Sequence, residues 1–130
     1  MQSATTRDEA TAAVSINGKP VVVVWTRSAA QALADRQRPL VLELELYFSC
    51  LVKKFVHFHD EAAGRTTVPV TDKLRLYFRA VTSTACTMEL AERLGRQPEI
   101  ELDTPAARKF APKRVRLDFR NGRWASSFWI

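Results

Sequence analysis

The sequence predicts an α+β fold: a curved, mostly antiparallel sheet with two short helices on one face, the alternative being a ferredoxin-like core plus terminal hairpins. Three observations carry this. Residues 40–58 and 73–80 alternate apolar and polar side chains with period two. Asn-Gly pairs at 17–18 and 121–122 lie between apolar stretches, and residues 28–37 and 84–94 show helical spacing. A first helix too short to cover the long alternating strand favours the curved sheet over the ferredoxin-like core.

In chain order, residues 1–12 are small and polar without periodicity and are expected to form a flexible leader, leaving 13–130 as a single domain. Asn17-Gly18 predicts a type I′ hairpin turn, since both central positions need positive φ. Val21 to Trp25 is apolar on both faces and should be an inner strand. Ser28 and Gln31 have capping-box spacing, so a short helix is expected from Ser28 to about Gln37, ended by Pro39.

From Leu40 to Phe58 the even positions are apolar, interrupted only by Lys54, whereas Glu43, Glu45, Tyr47, Lys53, His57 and His59 mark the odd face. The run exceeds an average strand, so it is read as one long strand bent near Ser49 to Lys54. Asp60 to Asp72 reads as a long loop, and Lys73 to Ala80 as a second long strand pairing antiparallel with the first. A helix over Thr84 to Leu94, closed by Gly95, and a short strand Glu99–Asp103 follow. The chain ends in a hairpin turning at Asn121-Gly122, with Phe119 opposite Trp124, Leu117 opposite Ser126, Val115 opposite Phe128 and Arg114 opposite Trp129.

At 130 residues and 46% hydrophobic content the chain suits one globular core, not disorder, a fibrous repeat or a disulfide scaffold. No apolar run approaches the roughly 18 residues of a membrane span, and the first residues lack a basic segment followed by an apolar one, so a cytoplasmic location is expected without membrane attachment. Cys50 and Cys86 are expected as free thiols. The net charge of +6 is localised: residues 1–107 hold thirteen basic and thirteen acidic residues, while 108–123 hold seven basic residues against Asp118.

His57-x-His59 on a strand sends both imidazoles to one side, a start for a metal site, with Asp60 and Glu61 as oxygen donors at the strand end. The competing reading is a solvated strand face. Cys86, near the start of the second helix, is a candidate thiolate nucleophile or simply a small buried hydrophobe. Glu43 and Glu45 share a face as an acid/base pair would, but Arg75, Tyr77 and Arg79 on the neighbouring strand account for them by cross-strand pairing. Glycine-rich phosphate cradles and nucleophile motifs are absent, and no cofactor is implied.

Arg114, Arg116 and Arg120 beside Trp129 offer a contact surface for a polyanion or a partner. The competing reading sets Glu99 and Glu101 opposite Arg116 and Arg114 in a neutralised sheet. Apolar residues of both parities at the carboxy terminus predict a protein partner or self-association through the last strand. The expectation from sequence is thus a small soluble binding or interaction module, its ligand pocket on the concave sheet face. The alternatives are a metal or thiol enzyme using His57, His59 and Cys86 or Glu45, and a single-stranded nucleic-acid binder using the basic terminal hairpin, which is not favoured.

Overall fold

The computed structural model describes residues 9–48, 52–83, 99–102 and 104–130. The elements are β1 (Glu9–Ile16), β2 (Lys19–Thr26), α1 (Arg27–Ala34), β3 (Leu40–Phe48), β4 (Val52–His59), β5 (Val68–Thr71), β6 (Leu74–Ser83), β7 (Glu99–Glu101), the single turn α2 (Pro105–Arg108), β8 (Arg114–Arg120) and β9 (Arg123–Trp129). They form two mixed sheets, one ordered β1-β2-β8-β9 and the other β4-β3-β6-β5, with β7 also on β6. The described residues are mostly strand with one short helix besides the single turn α2, which is consistent with an α+β class, but two mixed sheets replace the single, mostly antiparallel or ferredoxin-like one. Among the described residues no helix is long and apolar enough to cross a membrane.

The two Asn-Gly hairpins form as the sequence dictates. Asn17 and Gly18 adopt φ of 52° and 76°, and Asn121 and Gly122 adopt 53° and 74°, the left-handed conformations a type I′ turn requires. All four pairs expected in the terminal hairpin are present, from Arg114↔Trp129 to Phe119↔Trp124. The first hairpin extends further than expected: Glu9 pairs with Thr26, so residues 9–12 belong to β1 rather than to a leader. Their small polar side chains hide a strand held by its ladder to the valines of β2.

β2 is an inner strand, antiparallel to β1 and parallel to β8. The helix after it is capped by Thr26, two residues before the expected cap. Thr26 Oγ1 accepts the Ala29 N–H at 3.2 Å, while Ser28 Oγ donates to Asp118 on β8 at 3.1 Å, so a tertiary partner takes the serine that the local pattern assigned to capping. The second predicted helix, 84–94, lies outside the described residues.

The largest correction concerns residues 40–59. β3 and β4 pair antiparallel from Val41↔His59 to Phe48↔Val52, so the chain reverses where a bend was expected. Even positions face even positions across this hairpin, so the alternation runs through it without a break. The next strand also departs from expectation: β6 pairs with β3 in parallel, from Leu40↔Leu74 to Phe48↔Thr82. Either direction buries Leu74, Leu76, Phe78 and Ala80 on the same side, and β4 already occupies the other edge of β3. Within the expected loop, β5 forms an edge strand whose register shifts between Pro69 and Thr71.

The core lies between the sheets. Val21, Val23, Val115, Leu117 and Phe128 of the first meet Leu40, Leu42, Leu44, Leu74 and Leu76 of the second, and α1 adds Ala29 and Leu33. Phe78 meets Phe128 edge-on across the gap, centroids 6.2 Å apart. This packing commits the even positions of β3 and β6 to the core, so their odd positions line the outer face.

Candidate functional site

β3 is flanked by β4 and β6, so its outward residues have neighbours on both sides. Glu43 lies opposite His57 on β4 and Tyr77 on β6, and Glu45 opposite Phe55 and Arg79. Both glutamates are buried, at 8% and 7% exposure, although they point away from the core. An isolated buried carboxylate is costly, so its partners must compensate.

Those partners converge from both flanking strands. Tyr77 donates its hydroxyl to Glu43 Oε1 at 3.0 Å, and His59 Nε2 stands 2.8 Å from the same oxygen. Arg79 Nη1 donates to Glu43 Oε2 at 2.9 Å and to Glu45 Oε1 at 3.1 Å, while its Nε donates to Glu101 Oε1 at 3.0 Å. His57 Nε2 lies 3.2 Å from Glu45 Oε1. The imidazole contacts are diagonal, as the twist of neighbouring strands favours. Beyond Glu101, Arg65 closes the network with an ion pair at 2.6 Å and places its guanidinium 5.2 Å over the Tyr77 ring.

Electrostatics follow from this packing. Burial pushes the Glu43 carboxyl up, but the hydrogen bonds from His59, Tyr77 and Arg79 and the guanidinium charge outweigh it and hold it below the ordinary range. Burial, with the Glu43 carboxylate as acceptor, pushes the Tyr77 phenol up to about 12, so at neutral pH it keeps the proton it donates to Glu43. Glu101 is likewise held low by Arg79 and Arg65 despite its burial.

Above this floor opens a groove of about 550 Å³, lined by Glu43, Glu45, Lys53, Phe55, His57 and Arg79, among others. One wall is a ladder along β4. Phe55 stacks on His57 with centroids 6.3 Å apart, and His57 meets His59 at 6.5 Å. One ligating atom each from Glu43, Glu45 and His57 lies within 4.8 Å of the others, a spacing that could hold a metal ion.

The structure therefore places the expected histidines side by side but redraws their surroundings. Asp60 pairs with Arg36 and Glu61 with Arg38, so neither turns toward the imidazoles; Glu43 and Glu45 meet them instead. In one extended strand Glu45 and His57 would stand about 40 Å apart at roughly 3.3 Å per residue. Their shared odd parity was the available signal, and the bent-strand reading concealed it. The expected cross-strand pairing of the glutamates is present for Tyr77 and Arg79, across a parallel ladder, whereas Arg75 donates to Thr67 instead. Cys50 and Cys86 lie outside the described residues.

The basic hairpin is also re-partnered. Arg114 sits 6.0 Å over the Trp129 ring, as the pairing predicted. Glu101, however, belongs to the other sheet because β7 adds to β6. Arg116 pairs with Glu9 at 2.7 Å, and Arg120 with Asp118 of its own strand. No family model matches the chain, and comparison with curated proteins and with solved structures yields no match either.

Proposed function

We propose that this protein is a small binding module whose ligand occupies the groove on the outer face of β4, β3 and β6. The observation that carries the reading is the placement of Glu43 and Glu45: two buried carboxylates, directed away from the core, at the floor of an open groove. Apolar residues would cover such a face at lower cost, whereas a convergent charged cluster suits ligand recognition. The groove suits a small amphipathic ligand, its flat part against the Phe55–His57–His59 ladder and its polar part on the glutamate–arginine floor.

The test is a nuclear magnetic resonance titration of the labelled protein with small aromatic amines, guanidines and carboxylates. Shifts gathered on Phe55, His57 and Tyr77 support the reading. Binding confined to other surfaces, or a groove that takes neither these fragments nor a metal ion, overturns it.

A second reading, self-association through the last strand, rests on the exposure of Trp129 and Ile130 at 44% and 40%. Sedimentation at about 100 µM, where a dimer of micromolar dissociation constant is populated, decides it. A single monomeric species removes it.

A further inference from the structure

We infer that Glu43, Glu45 and His57 form the ligand set of a first-row divalent cation, with His59 and Tyr77 as outer partners that orient Glu43. The inference rests on the groove being a ligand site and names the chemical class of what it takes.

The geometry supports this in three respects. A tetrahedral zinc with bonds of 2.0–2.1 Å holds its ligands about 3.3 Å from one another, and His57 Nε2 and Glu45 Oε1 already stand 3.2 Å apart. Glu43 supplies the third atom of the group. Three protein ligands facing an open groove leave a fourth position for water or an exogenous donor, the arrangement of an accessible rather than a closed metal site. The imidazole favours zinc, iron, cobalt or nickel over magnesium and calcium, which prefer all-oxygen shells.

The outer partners are those a metal site requires. Glu43 Oε1 accepts from Tyr77 and faces His59 Nε2, so the carboxylate is fixed from two sides. His59 belongs in this outer role because it is not among the three residues whose ligating atoms cluster.

Arg79 is the apparent objection, since Nη1 contacts both carboxylates. Its Nε, however, is anchored on Glu101, so Nη1 can release both Glu43 and Glu45 while the guanidinium keeps a carboxylate partner. The cluster holds three carboxylates, Glu43, Glu45 and Glu101, against two guanidiniums, Arg65 and Arg79, a net charge of −1 that a divalent cation changes to +1. As a ligand, His57 offers the Nε2 lone pair, which requires the ring proton to sit on Nδ1.

The experiment is calorimetric titration of the full chain with zinc chloride, magnesium chloride as control, and the imidazole resonances followed in parallel. One zinc per chain is expected, with the His57 ring signals shifting and magnesium producing neither effect. H57A and E45Q should each lower zinc affinity by more than 100-fold, and H59A by about 10–100-fold, the effect of removing an outer partner. Circular dichroism confirms that each variant is folded, and the His57 shift in the unaltered protein answers the question if one is not. An unmoved His57 at two equivalents of zinc, or zinc affinity that survives H57A and is abolished by thiol alkylation, overturns the inference. Fragments that bind the groove while zinc leaves His57 unmoved remove the cation alone; a groove that takes neither removes the binding reading with it.

Discussion

The Thr26 hydroxyl donates to Asp118 Oδ1 at 2.7 Å and accepts the Ala29 N–H at 3.2 Å, so one side chain joins the end of β2, the start of α1 and the middle of β8. Asp118, itself buried, accepts from Thr26, from Ser28 at 3.1 Å and from the N–H of Phe119 at 2.8 Å. The Thr26 hydroxyl chiefly, with Phe119, Ser28 and Arg120, overcomes burial and lowers its carboxyl to about 2.

Because the folded value lies below the ordinary 3.8, Asp118 contributes stability that is complete above about pH 4 and is lost as pH falls through about 2. D118A should destabilise the protein by about 1–3 kcal/mol at pH 7. The difference from the unaltered protein should narrow between pH 4 and pH 2 in urea unfolding series. A gap that does not change with pH would contradict the assigned bonds.

Arg79 holds two buried carboxylates at once. R79A removes the guanidinium that Glu43 and Glu45 share, and should cost about 3 kcal/mol at neutral pH, as expected for breaking a buried ion pair from one side. R79K keeps the charge but not the fork and should lose part of that stability. A loss below about 1 kcal/mol, the range of exposed pairs, would show that the carboxylates are solvated rather than buried.

Tyr77 should resist ionisation. Its phenol, raised to about 12, keeps its proton beyond the ordinary value of 10, and the stability it contributes falls as pH rises from about 10 through about 12. Ultraviolet titration should show a late phase that Y77F lacks. A Y77F profile identical to the original would place the hydroxyl outside the Glu43 network.

Adjacent valines on β2 should behave differently. Val23 is fully buried between the sheets whereas Val22 is 43% exposed. V23A should cost about 1–3 kcal/mol, and V22A no more than about 0.5 kcal/mol. Equal costs would mean that β2 is covered on both faces.

The basic hairpin should bind polyanions poorly, because Glu9 and Asp118 engage Arg116 and Arg120. On heparin the protein should elute no later than a control of the same size and net charge. Later elution with a steep salt dependence would revive nucleic-acid recognition through Arg114, Arg116, Arg120 and Trp129.

What was legible in the residues was local. Asn17-Gly18 and Asn121-Gly122 specify hairpins through backbone conformation alone, and the terminal pairing of Arg114 with Trp129 follows from loop length. Period two correctly divided Leu42, Leu44 and Leu76 from Glu43, Glu45, Tyr77 and His57. The second face of Val21 to Trp25 was only partly covered, since Val24 is buried and Val22 is not.

The sequence by itself therefore determined which side chains share a face; only the tertiary structure decided which faces meet. Alternation carries no strand direction, so it could not distinguish a bend from a reversal after Phe48, or a parallel from an antiparallel β6. Ion pairs depend on those choices. Arg116 meets Glu9 from 107 positions away, Glu101 joins Arg79 rather than Arg114, and two glutamates meet two histidines because β4 folds back along β3. Side-chain periodicity is a property of one strand, whereas a binding site is a property of strand order, which the shared core between two sheets selects.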